Sequence, residues 1–331
     1  MSLRAHFTSA AQPPSPEPGR HVLATVTYGA TTGLSRVEHG HPDLTIPMAV
    51  TNGDAFREVW TVDEQPRWVL REDSAYAHDG RHLFVAGLLP EQSVYTPPVR
   101  EMYEKAFALV NHLDYGHIFR MWNFVGDILG ANAEGMEVYR DFVQGRAQAF
   151  QTYMGDTTAQ LPAATGIGTQ GRGIAFVLLA TRRGVPRHLE NSRQTSAYHY
   201  PDQYGPKSPS FARATLLDDT LYVSGTASIL GHETVHRGDV RRQTQETLDN
   251  IAHLISRGNL AAQGVDAGHE LKDLRMIKAY VRHEDDVPAV RAVCEEAFGV
   301  GTEVKYLNVA VCRDDLLVEI EGLVPAVGWD Q

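Results

Sequence analysis

A strand and helix order that occurs twice along the chain constrains the fold more than any other feature of the sequence. In the C-terminal half it comprises a strand at TLYVSG (220–225), a helix N-capped by Asp239, a strand at MIKAYVRH (276–283), a helix that ends at Gly299, and strands at YLNVAVC (306–312) and LLVEIEGLV (316–324). The corresponding upstream segments are HLFVAG (82–87), VREMYEKAFALVNHL (99–113), FRMWNFVGD (119–127), EVYRDFVQGRAQAF (137–150) and GIAFVLLAT (173–181). This recurrence predicts a divergent internal duplication.

The duplication predicts an α+β fold with antiparallel-rich sheets, in which the helices pack on one face of each sheet. We expect two lobes, an N-terminal one over residues 21–190 and a C-terminal one over residues 191–331. Residues 1–20 are rich in Pro and Ser, and we expect them to form a loose arm.

Size and composition argue against several classes of protein. With 331 residues and 43% hydrophobic content, the chain can bury a large core. Its formal charge of -11 disfavours a nucleic-acid partner, because phosphate binding needs a basic face. The sequence contains no apolar run of about 18 residues to span a membrane, and its start lacks the apolar core of a signal peptide. Together with only 2 cysteines, these features predict a cytoplasmic protein with free thiols.

Two carboxylates share one face of the last predicted strand. In LLVEIEGLVP (316–325), Glu319 and Glu321 point to the side opposite most of the apolar residues. One interpretation is that this face meets water, as in many antiparallel sheets. The other is that one carboxylate is a catalytic acid in a desolvated pocket. The upstream copy GIAFVLLAT carries no acid, which favours a single special site at Glu319 or Glu321.

Two short motifs match enzyme signatures in the wrong context. HETVH (232–236) fits the H-E-x-x-H pattern of zinc peptidases, but the β-branched Thr234 and Val235 and the Arg-Gly-Asp turn that follows favour a hairpin. GIGTQG (166–171) fits the dinucleotide fingerprint, but a strand follows it where a helix is required. We therefore expect no metal and no dinucleotide, and we interpret GIGTQG as a loop whose backbone closely approaches a neighbouring strand or a substrate.

Four segments of the C-terminal half resemble the RidA (YjgF/UK114) family. They are YVSG, GDVRRQTQETLDNI, IKAYVRHEDDVPAVRAVCEEAFG and LLVEIEGLV, and they lie between Leu216 and Val324. The resemblance implies a RidA-like fold with its pocket glutamate at Glu319. RidA proteins bind a carboxylate with an arginine, and Lys305 or Tyr306 lies near the position where that arginine would fall.

A second resemblance covers most of the chain. PAATGIGT (162–169), SRQTSAYHYPDQYGPKSPSFARA (192–214) and SGTASILGHETVH (224–236) are similar to the chorismatase family of bacterial secondary metabolism. Chorismatases remove pyruvate from chorismate, and their subtypes yield either a dihydroxycyclohexadiene carboxylate or 3-hydroxybenzoate. The second subtype is distinguished by a glycine after the serine at the strand end and by a cysteine seven residues before the catalytic glutamate. Gly225 and Cys312 fit both positions.

This resemblance implies a cofactor-free lyase that forms 3-hydroxybenzoate and pyruvate from chorismate. Protonating the enol-ether carbon requires a carboxylic acid with a raised pKa, and Glu319 is the candidate. Glu321 either raises that pKa through its like charge or reaches solvent. Cys312 is either a core thiol or a group that positions the ring hydroxyl and excludes water.

The remaining candidate residues would bind the substrate. Arg213 would hold a carboxylate through its guanidinium fork, or else form a surface ion pair. Tyr198 and Tyr204 would donate hydrogen bonds to substrate oxygens, or else pack against the sheet. Gly225 and Thr226 would form the pocket wall, with Gly225 leaving space where a methyl group would intrude.

Several alternatives stay open at this point. They are a hydrolysing chorismatase, a variant that forms 4-hydroxybenzoate, and a RidA-like module that acts as an imine deaminase or only binds a metabolite or partner protein. RidA pockets lie at the boundaries between subunits. Because a duplicated chain can supply both faces of such a pocket, we expect a monomer.

Overall fold

The computed structural model describes residues 2–36, 40–51, 53–155, 158–298 and 302–326. Its first strands are β1 (Arg4–Ser9), β2 (His21–Gly29), β3 (Gly33–Arg36), β4 (Pro42–Pro47), β5 (Ala49–Val50) and β6 (Phe56–Val62). All but β5 form the N-terminal sheet, in the order β1-β6-β2-β4-β3. The predicted helix end at Gly299 lies outside the described residues.

The middle sheet follows, with the strand order β11-β10-β12-β9-β8-β7. In chain order its elements are β7 (Arg67–Leu70), β8 (Ser74–His78), β9 (His82–Leu89), α1 (Thr96–His112), β10 (His117–Gly126), α2 (Val138–Met154), β11 (Ala163–Thr169) and β12 (Ile174–Thr181). The two helices pack on the same face of this sheet.

The C-terminal sheet has the order β13-β14-β15-β20-β18-β19-β5. Its chain order is β13 (Arg187–Leu189), β14 (Ala214–Leu217), β15 (Thr220–Ala227), the hairpin strands β16 (Ile229–Leu230) and β17 (Glu233–Thr234), α3 (Val240–Ile255), α4 (Arg257–Ala262), β18 (Arg275–Val281), α5 (Val287–Phe298), β19 (Val304–Asn308) and β20 (Val318–Val324). The predicted N-cap is confirmed, because the Asp239 side chain accepts a hydrogen bond from the Arg242 N–H.

The middle and C-terminal sheets match strand for strand. The order β11-β10-β12-β9-β8-β7 corresponds to β19-β18-β20-β15-β14-β13. In both sheets the first two strands are parallel and the next neighbours are antiparallel. A helix follows the strand ending near a glycine, and a second helix follows the next strand, as the repeated sequence order predicts. The predicted α+β class, with antiparallel-rich sheets and helices on one face, is confirmed.

Three apolar clusters hold the sheets together. One lies between the middle sheet and α1 and α2, and a second lies between the C-terminal sheet and α3 to α5. The third, the central core, lies where all three sheets meet and includes Trp60, Phe124 and Tyr222. Because both faces of the two large sheets are covered, their inner strands are apolar on both sides. No helix in the described ranges is long and apolar enough to cross a membrane.

The prediction of a loose arm over residues 1–20 is wrong for its first part. Strand β1 pairs antiparallel with β6, from Arg4 opposite Thr61 to Ser9 opposite Phe56. Leu3 and Ala5 are buried in the central core. The Pro-rich composition starts only after this strand, so it does not predict the conformation of the residues that precede it. The N-terminal sheet has no counterpart in the repeat.

The structure also tests the two short motifs. GIGTQG begins on strand β11 rather than in a loop, but the predicted close approach of its backbone is confirmed. The N–H of Gly168 donates to the Ala310 carbonyl at 2.9 Å, and a Cβ atom on Gly168 would lie 2.7 Å from that oxygen. HETVH supplies β17, which pairs with β16 in the predicted hairpin, and His236 has φ 58°.

Candidate active site

A cavity of about 320 Å³ opens between the middle sheet with its helices and the C-terminal sheet with its helices, which we call the first and second repeat. Helix α2 and strand β11 of the first repeat line one side of the cavity. The end of β15 and Glu319 of β20, both in the second repeat, line the other side. The segment 200–213 and the residues 312–315 complete the wall. Both faces of the cavity therefore come from one chain.

The face of β20 that carries the two glutamates is turned towards the central core. Leu323 on that face belongs to the central core, whereas Val318 and Ile320 pack against the helices on the other side. Glu319 is 4% exposed and Glu321 is 2% exposed. The interpretation of a solvated face is therefore wrong, because this strand has no face that meets water.

Glu319 is the acid that reaches the cavity. Burial raises its pKa to about 8, and the like charge of Glu321 adds to this effect. Arg120 and Arg213 oppose the rise. The Cys312 thiol donates to its Oε2 atom across 3.9 Å. At neutral pH the side chain is thus a neutral acid with a proton to transfer, as general acid catalysis requires.

Glu321 has the opposite protonation state. Its Oε2 atom lies 2.5 Å from the Arg120 Nη2 atom, and its Oε1 atom lies 2.8 Å from the Lys278 Nζ atom. Trp122 and Tyr280 each donate a hydrogen bond to it, at 2.9 Å. Burial alone would raise its pKa, but Lys278 and Arg120 outweigh burial and hold the pKa at about 2. Of the two predicted roles for Glu321, solvent exposure is wrong, whereas its charge does raise the pKa of Glu319.

Gly225 stands at an irregularity in the pairing of β15 with β20, between Val223 and Thr226. Such bulges reorient side chains next to active sites. The Gly225 N–H donates to the Thr165 hydroxyl oxygen at 3.0 Å, and Gly225 lines the cavity as predicted. Thr226 does not: its hydroxyl donates to the Ser224 carbonyl, and the side chain is buried away from the cavity.

Arg213 lines the cavity and is 3% exposed, so the alternative of a surface ion pair is wrong. Its Nη2 atom donates to the Thr195 carbonyl at 2.9 Å and to the Tyr200 hydroxyl at 2.8 Å. Its Nε atom is buried without a hydrogen-bond partner among the described residues. A guanidinium anchored at one nitrogen and unpaired at another is suited to hold an anion.

Of the two candidate tyrosines, the structure brings only Tyr204 to the cavity. Its hydroxyl lies 3.2 Å from His232 Nδ1, and the guanidinium of Arg313 lies 4.0 Å from its ring centroid. Tyr198 packs against the cluster between the middle sheet and its helices, so for this residue the packing alternative holds. Tyr200, two residues on, lines the cavity instead.

Helix α2 also lines the cavity, and its residues are not among those predicted from the sequence. Arg146 lines the cavity at 4% exposure, and its Nη1 atom donates to the Ser210 carbonyl at 2.8 Å. Tyr139 stands two turns earlier on the same helix and also lines the cavity. Burial raises its pKa, and the neighbouring Cys312 and Glu319 raise it further. An arginine among the apolar positions of α2 was the available signal.

The histidines of HETVH are held by different partners. His232 Nδ1 lies 3.2 Å from the Tyr204 hydroxyl, and His236 Nε2 lies 3.3 Å from Glu246. A zinc site needs both rings to point at one ion from successive turns of a helix, and the hairpin does not supply that arrangement. The chemistry that the cavity offers is instead the binding of an anion by arginines beside a protonated carboxyl group.

Comparisons with known proteins agree with this geometry. The family model described as chorismatase FkbO/Hyg5-like, N-terminal, matches residues 58–180. A 3-hydroxybenzoate synthase from Streptomyces hygroscopicus is 49% identical to this chain over 97% of each sequence. The chain belongs to the chorismatase family. A chorismatase from the same organism is 40% identical and aligns with 94% of this chain and 91% of its own.

A solved chorismatase structure matches this chorismatase family member over nearly its whole length. A chorismatase crystal structure superposes with a TM-score of 0.91, at 39% identity and with 98% of both chains covered. A Rid-family protein from Yersinia pestis aligns with 43% of this chain and 100% of its own, at 18% identity and a TM-score of 0.34.

Proposed function

We propose that this protein converts chorismate to 3-hydroxybenzoate and pyruvate without a cofactor. The observation that carries the proposal is a buried Glu319, with its pKa raised to about 8, at a cavity lined by arginines, with Gly225 and Cys312 against its carboxyl group. The 49% identity to a 3-hydroxybenzoate synthase supports the same product.

In this proposal Arg213, Arg313 and Arg146 hold the two carboxylates of chorismate. Each of these arginines lines the cavity, and each is fixed by a hydrogen bond to a backbone carbonyl. Fixed guanidinium groups lose little freedom when a dianion binds, so they orient it well. Tyr200 and Tyr204 line the same cavity, and in this proposal their hydroxyls donate to substrate oxygens.

The reaction begins when Glu319 transfers its proton to the methylene carbon of the enolpyruvyl group. The double bond supplies the electron pair for the new C–H bond, which leaves an oxocarbenium ion beside the glutamate anion. The bond from the ring to the ether oxygen then breaks, and its electron pair completes the keto group of pyruvate. The ring hydroxyl and a ring hydrogen rearrange, and the proton released as the ring becomes aromatic returns to Glu319. The atoms of chorismate equal those of the two products, so no water is added.

Exclusion of water decides between this outcome and hydrolysis. Water that reached the oxocarbenium ion would give a non-aromatic diol and pyruvate, the reaction of a hydrolysing chorismatase. Cys312 fills the space beside the acid, since its thiol contacts Glu319. We assign it the role of excluding water there and positioning the ring hydroxyl.

The direct test is incubation of the purified protein with chorismate, followed by pyruvate detection and chromatography of the ring products. We expect 3-hydroxybenzoate as the main product. Glu319→Gln keeps the shape of the side chain and removes the proton, so pyruvate release should fall about a hundredfold or more. Glu284→Gln, at an exposed position, is the matched control. Near-normal turnover by Glu319→Gln, or a diol as main product, would contradict the proposal.

We further propose that the protein is a cytoplasmic monomer. Both walls of the cavity come from one chain, which supports a monomer as the functional unit. Both cysteines are free thiols, which fits a reducing compartment. Sedimentation equilibrium over a range of concentrations tests the first point, and fractionation of the producing cell tests the second.

A further inference from the structure

A group of four buried charges lies behind Glu319, where the three sheets meet. It consists of Glu58, Lys278, Glu321 and Arg120. We propose that this network acts as a positioning device that keeps the carboxyl group of Glu319 protonated, and that the N-terminal sheet takes part in it through Glu58. The inference rests on the proposed role of Glu319 as the proton donor.

The four groups form a continuous chain of ion pairs. Glu58 Oε2 lies 2.6 Å from Lys278 Nζ, which lies 2.8 Å from Glu321 Oε1. The other oxygen of Glu321 lies 2.5 Å from Arg120 Nη2. Each side chain is at most 4% exposed. Tyr28 closes the far end, since its hydroxyl accepts from Lys278 at 2.8 Å and lies 3.2 Å from Glu58 Oε2.

The network draws on all three sheets. Glu58 stands on β6 of the N-terminal sheet and Arg120 on β10 of the middle sheet, whereas Lys278 and Glu321 face each other across β18 and β20. Glu321 is two residues from Glu319 on the same strand face. The net charge of the network therefore changes the electrostatic potential at Glu319. Screening between them is weak, because water is excluded from this part of the molecule.

The charges of the network sum to zero, with two acids and two bases. Loss of Glu58 alone leaves one excess positive charge behind Glu319, because Lys278 keeps Glu321 as a partner and stays protonated. A positive charge favours the carboxylate over the carboxylic acid. Loss of both Glu58 and Lys278 restores neutrality, so the effect on Glu319 should vanish.

Other titratable or charged groups also face Glu319, and none of them is altered by these changes. From α2 they are Tyr139 and Arg146, and from the remaining elements Arg213, Cys312, Arg313 and Tyr280. They therefore serve as a constant background in a comparison of network variants.

A purely structural role makes a different prediction. If the network only joined the three sheets, each substitution would loosen the site, and the double variant would be at least as impaired as the single one. If it controls protonation, the second substitution reverses the effect of the first. Replacing both partners of a buried ion pair is often tolerated, whereas removing one partner is destabilising.

The experiment compares the pH dependence of pyruvate release from chorismate for the wild type, Glu58→Gln, Lys278→Met with Glu58→Gln, and the control Glu17→Gln. Glu17 forms an exposed ion pair with Arg4 away from the site. For Glu58→Gln we expect the loss of activity on the alkaline side to begin about one pH unit lower. For the double variant we expect it to return to the wild-type position, and Glu17→Gln should leave it unmoved.

An unmoved alkaline limb in Glu58→Gln, or a double variant shifted further than the single one, would overturn the inference. Carboxyl-labelled glutamate NMR, with the Glu319 signal identified from its loss in Glu319→Gln, follows the same titration without substrate. This readout separates the two proposals. If chorismate is not cleaved but the Glu319 signal shifts as expected, the proposed function fails, whereas the effect of the network on protonation of the Glu319 carboxyl group is still supported.

Discussion

Gly225 faces Glu319 so closely that a methyl group on Gly225 would lie 2.9 Å from the carboxyl carbon of Glu319 and overlap its Oε1 atom. On the other side the same methyl group would lie 3.1 Å from Thr165 Cγ2. The glycine therefore makes room for the carboxyl group of Glu319, the acid that we propose as proton donor. In the structure the Glu319 carboxyl group occupies the space that a side chain at Gly225 would fill.

Gly225→Ala should displace the Glu319 carboxyl group without unfolding the protein, because the obstructed atoms are the end of a flexible side chain. We expect pyruvate release to fall about tenfold to a hundredfold, since small misplacements of a reacting group are costly in rate. Gly116→Ala, where an added Cβ meets nothing within 4 Å, is the control. An unaltered rate in Gly225→Ala would show that the acid works from another position.

Cys312→Ala should change the product rather than the protonation step. Removing the thiol opens space for roughly one water molecule beside Glu319, and water diverts the cation to hydrolysis. A change of about 1.4 kcal/mol in the relative barriers alters the product ratio tenfold. We expect the share of non-aromatic diol to rise while total pyruvate falls less. Cys294→Ala, at the helix side of the C-terminal sheet, should leave the ratio unchanged.

Glu319 should make the protein less stable as the pH rises. Its pKa is raised to about 8 in the folded chain, so between pH 4.5 and 8 the folded state binds a proton that the unfolded state has released. The contribution of this proton is fully present below that range and is lost as the pH rises through it. The slope is at most about 1.4 kcal/mol per pH unit. Urea unfolding from pH 5 to 8 should show Glu319→Gln gaining stability relative to the wild type as the pH increases; a constant difference would argue against a raised pKa.

Prolonged chelation should leave activity and Tm unchanged, because the two HETVH histidines have different hydrogen-bond partners, Tyr204 for His232 and Glu246 for His236. The measurement is turnover and thermal unfolding before and after treatment with a strong zinc chelator, together with the metal content of the protein. A stoichiometric zinc content that tracks activity would contradict this prediction.

Much of the fold could be predicted because short stretches of sequence determine its strands and helices. The repeated order of strands and helices depends on apolar spacing and on caps such as Asp239, which act within a few residues. The N-terminal sheet could not be anticipated in this way. Strand β1 is short, and the strand with which it pairs, β6, lies about fifty residues further along the chain, as the pairing of Arg4 with Thr61 illustrates.

The site was predictable in part for the same reason. A period of two places Glu319 and Glu321 on one strand face but does not tell which one is ionised. That difference is set by Arg120 and Lys278, which come from two other strands and meet Glu321 only in the folded chain. Arg146 stands among the apolar positions of α2, but it lies in the other repeat, and only the folded chain brings it to the same cavity as Glu319.

Strand β11 is tied to the second repeat along its length, and this limits how a substrate can reach the cavity. The Ala163 N–H donates to the Thr215 hydroxyl oxygen and the Ala164 N–H to that of Ser224, each at 2.9 Å, and Gly168 bonds to Ala310. The two repeats cannot open like a hinge without breaking these bonds. We therefore expect substrate and products to pass the segment 200–209, where Gly205 adopts φ 144° and residues 201–203, 206 and 207 are exposed. Their exchange would then require local displacement of this segment rather than separation of the two repeats.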